Sequence, residues 1–333
     1  MEHRATDVAA FFQPGATFPP DRRIFLAAAR LKVLRQRQRL VLLRAAALYD
    51  KFVDFAVDSV SRFEQLVEPD EIVKNHVGEI LAEDRRTVIK SHAYQSKKIR
   101  MLRSAVIDGG EAMQVFNMAI FPRPCFDLPI FCADFFTSSS RSIFVLDLNP
   151  LYNVEADKAY KDKYYSELLP LVKKHSKLLP WGEKLTGESL QFFSPIVLWS
   201  KPESNKEVDE AIYLAFQDYI MAWTRIIGAA TSETDIDAIC RNKVAHHRYL
   251  TWRASKDPGR PVLRRLLGED RCEHYIHEFL FNGLHDLGTS SFTEYFPEYR
   301  CEDGTVNTAR SIIGKSYSER PWNDTGTFIH RSG

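Results

Sequence analysis

A series of apolar segments with strand-like alternation lies between residues 98 and 148, and it constrains the fold more than any other feature of the chain. The first two segments are separated by Asp108-Gly109-Gly110, a turn sequence typical of a β-hairpin. The loop at 122–129 contains three prolines, which supply no backbone donor and therefore separate strands. Consecutive strands joined by short connections form an antiparallel sheet. The predicted strands are residues 98–107, 112–121, 130–136 and 142–148.

Helical patterns flank this strand-rich region. Residues 42–68 and 157–179 have apolar residues near helical spacing, and most of the chain after residue 205 has the same pattern. A further strand is predicted over 189–199. Because helices before and after the sheet can cover both of its faces, we predict an α/β fold, a three-layer α/β/α sandwich with a central antiparallel sheet. We expect residues 50–330 to form a single domain.

Composition excludes several classes of function. The 333 residues carry a net charge of +1, so the molecule has no strong overall field to recruit nucleic acid or an anionic membrane. No apolar run reaches the length of about 18 residues that a membrane span requires. The five cysteines form no C-x-x-C pair, which argues against a disulfide framework, a zinc site or a protein-borne iron-sulfur cluster. The motifs that bind nicotinamide cofactors, nucleotides and catalytic zinc are also missing.

The N-terminal extension, residues 1–49, has an unusual charge pattern. Between Arg22 and Tyr49 it contains eight basic residues and no acidic residue, on an Ala- and Leu-rich helical pattern. This composition suits an organellar targeting segment, although the first serine of the chain is Ser59, whereas targeting segments are serine-rich. A basic surface helix is the alternative interpretation.

Polar residues inside apolar strands are the first candidates for chemistry. Asn117 interrupts QVFNMAIF, and Asp134 interrupts IFCADFF. If Asp134 is buried among Phe131, Phe135 and Phe136, loss of solvent should raise its pKa and make it a proton donor near neutral pH. Asp147 has a similar setting, but it precedes a turn, where capping of backbone N–H groups is the expected role.

A second candidate region lies where a helix should end. Pro258 disfavours helix at Asp257, so this aspartate is either a turn residue or a functional group at a helix end. A basic cluster that could bind substrate carboxylates or an acidic protein surrounds it. His246-His247 and the pair His274 and His277 do not have the spacing of a complete metal site, so we interpret them as structural. The basic cluster is Arg253, Lys256, Arg260, Arg264 and Arg265.

Several long segments of the chain resemble the ferredoxin-dependent bilin reductases. The resemblance is strongest in FPRPCFDLPIFCADFF and continues in YLTWRASKDPGRP, EFLFNG and FPEYRCEDGTVNTARSIIGKSYSERPW. It covers roughly residues 50–325, and RSIIGKS points to the plant branch of the family, whose product is phytochromobilin.

The resemblance implies a specific activity. Family members bind biliverdin IXα between the sheet and the C-terminal helices, hold no flavin or metal, and take single electrons from a plant-type [2Fe-2S] ferredoxin, with protonation through bilin radicals. The partners implied are thus biliverdin and ferredoxin, without nucleic acid or a membrane span, for a monomer in the chloroplast stroma. The family's proton-donor positions correspond to Asn117, Asp134 and Asp257. We expect Asn117 and Asp134 to approach the bilin from opposite faces.

One departure from the plant branch leaves the product open. There the first of these positions is usually Asp and the second Asn, whereas this chain has Asn117 and Asp134. The order found here is that of members that reduce the bridge next to the D-ring, giving 15,16-dihydrobiliverdin on the way to phycoerythrobilin or phycourobilin. Phytochromobilin is the first expectation and these bilins are the alternative. A non-catalytic tetrapyrrole-binding protein is the alternative of another class.

Overall fold

The computed structural model describes residues 48–182, 185–309 and 316–329. The predicted N-terminal extension therefore lies almost entirely outside the described residues. The centre of the described part is a seven-stranded antiparallel sheet in which β1 to β6 lie in chain order and β8 follows β6. A separate two-stranded sheet pairs β7 with β9. The strands are β1 Gly78–Leu81, β2 Val88–Tyr94, β3 Ile99–Asp108, β4 Gln114–Pro122, β5 Ile130–Thr137, β6 Ser142–Asn149, β7 Leu185–Thr186, β8 Leu198–Ser200 and β9 Ser316–Tyr317.

Helices lie on both faces of the large sheet. The α-helices of the described residues are α1 Asp50–Ser61, α2 Glu71–Lys74, α3 Lys158–Tyr165, α4 Leu169–His175, α5 Gly187–Leu190, α6 Lys206–Ala229, α7 Ile236–Lys256, α8 Arg260–Leu267, α9 Glu269–Tyr275, α10 Leu284–Leu287 and α11 Phe292–Tyr295. None of the helices in these ranges is long and apolar enough to cross a membrane.

One face of the sheet packs against α1 and α6 through aromatic side chains. Phe116 and Phe135 of the sheet, Phe52 of α1 and Phe216 of α6 form a cluster with ring centroids 5.1–6.4 Å apart. The long helix α6 begins after Asn205, whose side chain accepts a backbone N–H of the first turn. Edge-to-face contacts of this kind add to the area buried and fix the distance between helix and sheet.

The opposite face packs against α7, α8, α9 and a π-helical turn at Ile276–Leu280. Helix α7 ends at Lys256, because Asp257 adopts an extended conformation (ψ 116°) before Pro258, as the sequence predicts. Helix α8 ends at Leu267 and is followed by Gly268, whose φ of +79° suits glycine. The chain thus turns sharply between α7 and α8, directly above the sheet.

The predicted α/β fold with its central antiparallel sheet is confirmed, but three local predictions are wrong. The helix predicted over 42–68 ends at Ser61. Most of residues 189–199 is not a strand, because Pro195 has no N–H and the Ser194 N–H donates to Asp147. The helix predicted over 157–179 is interrupted by a 3-10 turn and restarts with Pro170 in its first turn, where a missing N–H costs nothing.

Candidate active site

A row of cross-strand neighbours crosses the sheet face that packs against α7, α8 and α9. Ala105, Asn117, Asp134, Val145 and Trp199 pair in register on β3, β4, β5, β6 and β8, and all five line one cavity. Residues paired directly across antiparallel strands point to the same face of the sheet. Asn117 and Asp134 are therefore neighbours on the cavity floor, and the expectation that they approach a substrate from opposite faces is wrong.

The cavity has a volume of about 340 Å³ and lies between the sheet and the α7–α8 turn. This volume falls within the range of small-molecule sites. Its walls carry aromatic rings and cationic groups together with two carboxyl groups. The aromatic and charged lining residues are Phe136, Phe192, Phe193, Tyr249, Trp252, Trp199, Tyr275, Lys201, Arg253, Lys256, Asp134 and Asp257.

Asp134 faces the cavity rather than a pocket of phenylalanines. Because side chains alternate along a strand, Phe131 and Phe135 point to the opposite face and pack in the core against α6, while Phe136 lines the cavity. The predicted burial among three rings is therefore wrong. The Asp134 side chain is 25% exposed, and its Oδ2 lies 3.7 Å from Nη2 of Arg253.

Asp257 faces the same cavity from the helical side. Its Oδ1 accepts the Gly259 N–H at 2.9 Å, which makes it the turn residue that the sequence suggested. Within the described residues its Oδ2 has no hydrogen-bond partner, so this oxygen is available to a ligand. Burial raises the pKa of Asp257 and the nearby charge of Asp134 raises it further, against lowering by the Gly259 N–H and by Arg253. This carboxyl therefore holds its proton to a higher pH than an ordinary aspartate.

Arg253 is the cation that the two carboxyl groups share. Burial lowers its pKa, but Tyr249 and Cys132, together with Asp134 and Asp257, raise it by more. The guanidinium therefore remains charged. It balances negative charge on either side of the cavity and can pair with an anionic ligand.

The rest of the basic cluster divides between the cavity and the surface. Lys256 lines the cavity, but its Nζ donates to the Ala309 carbonyl at 2.7 Å. Arg260 and Arg264 form ion pairs with glutamates of α9, and Arg264 is half-exposed. Arg265 is exposed on α8, and neither it nor Arg264 is among the residues that line the cavity.

The histidines singled out in the sequence have no metal-ligand arrangement. His246 is fully buried, and its burial and the charge of Arg100 lower its pKa to about 3. His247 contacts the Tyr295 hydroxyl at 2.8 Å and the Leu284 carbonyl at 2.9 Å. In the ranges that the structure describes, no group of three or more His, Cys, Asp or Glu side chains could hold a metal ion.

Arg103 lies near the site but was not among the residues predicted from the sequence. It lies on β3 next to the cavity floor, where Nε donates to the Leu280 carbonyl at 2.9 Å and Nη1 to the Asn117 carbonyl at 3.1 Å. Nη1 also donates to the side-chain oxygen of Asn117. The signal was a charged residue inside an apolar strand, the same signal that identified Asp134.

Aromatic walls, cations and carboxyl groups on both sides define the class of this site. It suits a flat, conjugated, anionic ligand that receives protons from the protein.

The sequence pattern of the ferredoxin-dependent bilin reductases matches residues 58–282. The chain is 43% identical over 323 residues to the chloroplastic phytochromobilin:ferredoxin oxidoreductase of Arabidopsis thaliana, covering 96% of this chain and 97% of the relative. It is 38% identical over 195 residues to phycoerythrobilin:ferredoxin oxidoreductase of Nostoc punctiforme, covering 59% and 76%. The crystal structure of phytochromobilin synthase from tomato in complex with biliverdin matches with a TM-score of 0.82 and 48% identity, covering 84% of this chain and 99% of that one. The chain therefore belongs to the ferredoxin-dependent bilin reductase family and is an oxidoreductase.

Proposed function

We propose that this protein reduces biliverdin IXα to phytochromobilin with electrons from a [2Fe-2S] ferredoxin. The observation that carries the proposal is the presence of Asp134 and Asp257 on opposite walls of one aromatic cavity. The relatives support the same substrate and product, since one is phytochromobilin:ferredoxin oxidoreductase and another was solved with biliverdin.

The lining of the cavity suits biliverdin chemically. This tetrapyrrole is flat and conjugated, so it can stack on aromatic rings such as those of Phe192 and Trp252. It also carries two propionate groups, for which Arg253 and Lys201 supply positive charge.

The reaction requires the protein to supply protons. Reduction of one carbon-carbon double bond takes two electrons and two protons, and ferredoxin delivers its electrons singly, so a bilin radical forms between the two transfers. Asp257 is suited to donate because its raised pKa keeps it protonated to higher pH. Asp134 is proposed as the donor on the sheet side, and Asn117 can hydrogen-bond the bilin but cannot act as an acid.

A second product is favoured by one specific feature. The order of Asn117 and Asp134 is that of family members that form 15,16-dihydrobiliverdin and lead to phycoerythrobilin or phycourobilin. The 38% identity to a phycoerythrobilin:ferredoxin oxidoreductase is compatible with this alternative. The higher identity and fuller coverage of the phytochromobilin enzyme make phytochromobilin the first choice.

Arg260, Arg264 and Arg265 are proposed to contact the acidic surface of ferredoxin, because all three lie on α8, the helix that directly follows the turn covering the cavity. The chloroplastic relative supports a plastid location, for which we propose the stroma. We propose that the protein acts as a monomer.

An anaerobic turnover of biliverdin with reduced ferredoxin tests the function, with the products separated by chromatography against known bilins. Phytochromobilin is the expected product, and the reaction without ferredoxin is the control. Accumulation of 15,16-dihydrobiliverdin would support the alternative reductase. Biliverdin that binds but remains unchanged would contradict the proposed activity and favour a binding protein.

A further inference from the structure

Arg103 is a buried cation with no carboxylate partner. Its side chain is 2% exposed, and within the described residues it forms no ion pair. Burial lowers its pKa, as expected for a guanidinium removed from water. Its hydrogen bonds go to neutral oxygens of Leu280 and Asn117. An arginine in this position therefore has a role other than balancing a buried acid.

The chemistry of the guanidinium fixes the orientation of the Asn117 amide. Arginine has only donors, so the side-chain atom of Asn117 that faces Nη1 must be the carbonyl oxygen. The NH₂ group then points away from Arg103. In the described part of the chain Nδ2 of Asn117 has no hydrogen-bond partner, and Asn117 lines the cavity.

We infer that Arg103 is a positioning residue that makes Asn117 a hydrogen-bond donor toward the bound tetrapyrrole. This inference rests on the proposed function. An NH₂ group turned into the cavity selects an acceptor atom of the ligand, which in a bilin is a lactam oxygen, a propionate oxygen or the unprotonated ring nitrogen. The N–H groups of the other rings offer it no partner. Arg103 thereby determines which edge of the tetrapyrrole can lie above β4.

The same contact governs what an acid at position 117 would do. A carboxyl group in place of the Asn117 amide would accept the Arg103 hydrogen bond as a carboxylate, which favours its ionised form. Such a group would give up its proton more readily than an acid without this contact. Arg103 would therefore orient an amide at position 117 and lower the pKa of an acid there.

A double-mutant cycle on biliverdin affinity, measured by absorbance without ferredoxin, tests whether Arg103 acts through Asn117. We expect Arg103→Met and Asn117→Ala each to weaken binding by about tenfold, which corresponds to the loss of one hydrogen bond. The double variant should bind no more weakly than either single variant. Additive losses of about a hundredfold would overturn the inference, because they would assign Arg103 a separate structural effect.

Two further variants control for folding. Arg100→Met removes another arginine of β3, which donates to Asn282 and does not line the cavity, so biliverdin affinity should stay within about twofold. Arg103→Lys retains a charged group that has only donors, so it should hold the Asn117 oxygen in the same orientation and lose less than about threefold in affinity. A Lys variant that is as weak as Arg103→Met, although folded, would contradict the orientation mechanism.

A measurement without ligand separates this inference from the proposed function. The carboxyl of Asn117→Asp is titrated by ¹³C NMR with Arg103 present and in the Arg103→Met background. We expect its pKa to be lower by at least about one unit when Arg103 is present. Equal pKa values would overturn the inference whether or not biliverdin binds. Wild-type protein that fails to bind biliverdin would instead refute the proposed substrate.

Discussion

Asp257→Asn removes the acidic proton from the helical wall while it preserves the turn. The asparagine oxygen can accept the Gly259 N–H as Oδ1 does now at 2.9 Å, so the α7–α8 turn should remain. Removal of a positioned general acid typically lowers a rate about 10²- to 10⁴-fold. This loss corresponds to about 3 to 5 kcal/mol of activation free energy. Single-turnover reduction of biliverdin by reduced ferredoxin should slow by that factor, while the biliverdin Kd changes by less than about threefold.

The pH dependence of the rate and the control variant Asp303→Asn test the role of Asp257 further. Because the pKa of Asp257 is raised, the wild-type rate should fall only as pH rises through that raised value, and the variant should lack this descending limb. Asp303 forms the same turn contact with the Thr305 N–H at 2.9 Å in an exposed loop, so Asp303→Asn should leave the rate unchanged. A single-turnover rate of Asp257→Asn within about threefold of wild type, with the limb intact, would refute the assignment.

Three further outcomes are expected. Asp134→Asn should stall after the first electron and give a long-lived paramagnetic bilin species in electron paramagnetic resonance; normal turnover to the same bilin would show that Asp134 is structural. Charge reversal at Arg264 and Arg265 should weaken the apparent affinity for ferredoxin more at low salt than at high salt, whereas reversal at the exposed Arg225 of α6 should not. Burial raises the pKa of Asp147 from 3.8 to about 6, so the native state holds this proton more tightly and the free energy of unfolding should fall by about 3 kcal/mol as pH rises through that window. Urea unfolding at a series of pH values should show this slope in wild type and not in Asp147→Asn.

The sheet could be predicted only where its strands alternate. β3 to β6 were found because their apolar residues and turns are visible in the sequence, but β1 and β2 were missed. β1 is an edge strand with mostly exposed residues, so it has no apolar pattern. β2 contains Lys90 and Ser91, whose polar groups are satisfied by Asp50 at 2.6 Å and by the Tyr275 hydroxyl at 2.7 Å. Such partners are distant in sequence, so the chain alone does not reveal them.

The candidate site could be predicted in part for similar reasons. Polar residues inside apolar strands identified Asn117 and Asp134, and the resemblance identified Asp257. The contact between Arg103 and Asn117 depends on the register of β3 against β4, and a slip of one residue would move one partner to the other face. The orientation of Phe131 and Phe135 away from Asp134 follows from strand alternation, whereas their closeness in sequence suggests one shared pocket.

The exchange of acid and amide between positions 117 and 134 changes both the strand that carries the acid and the arginine that contacts it. Because the two residues are direct cross-strand partners, the exchange moves the acid sideways by about one strand spacing of 4.8 Å, on the same face of the sheet. It also moves the acid from Arg253, 3.7 Å from Asp134, to a direct hydrogen bond with Arg103. We therefore expect the exchange to change both the position of the acid and the arginine that contacts it. The identity of the two residues alone then does not suffice to predict the product, because each position contacts a different arginine, Arg103 on β3 or Arg253 on α7.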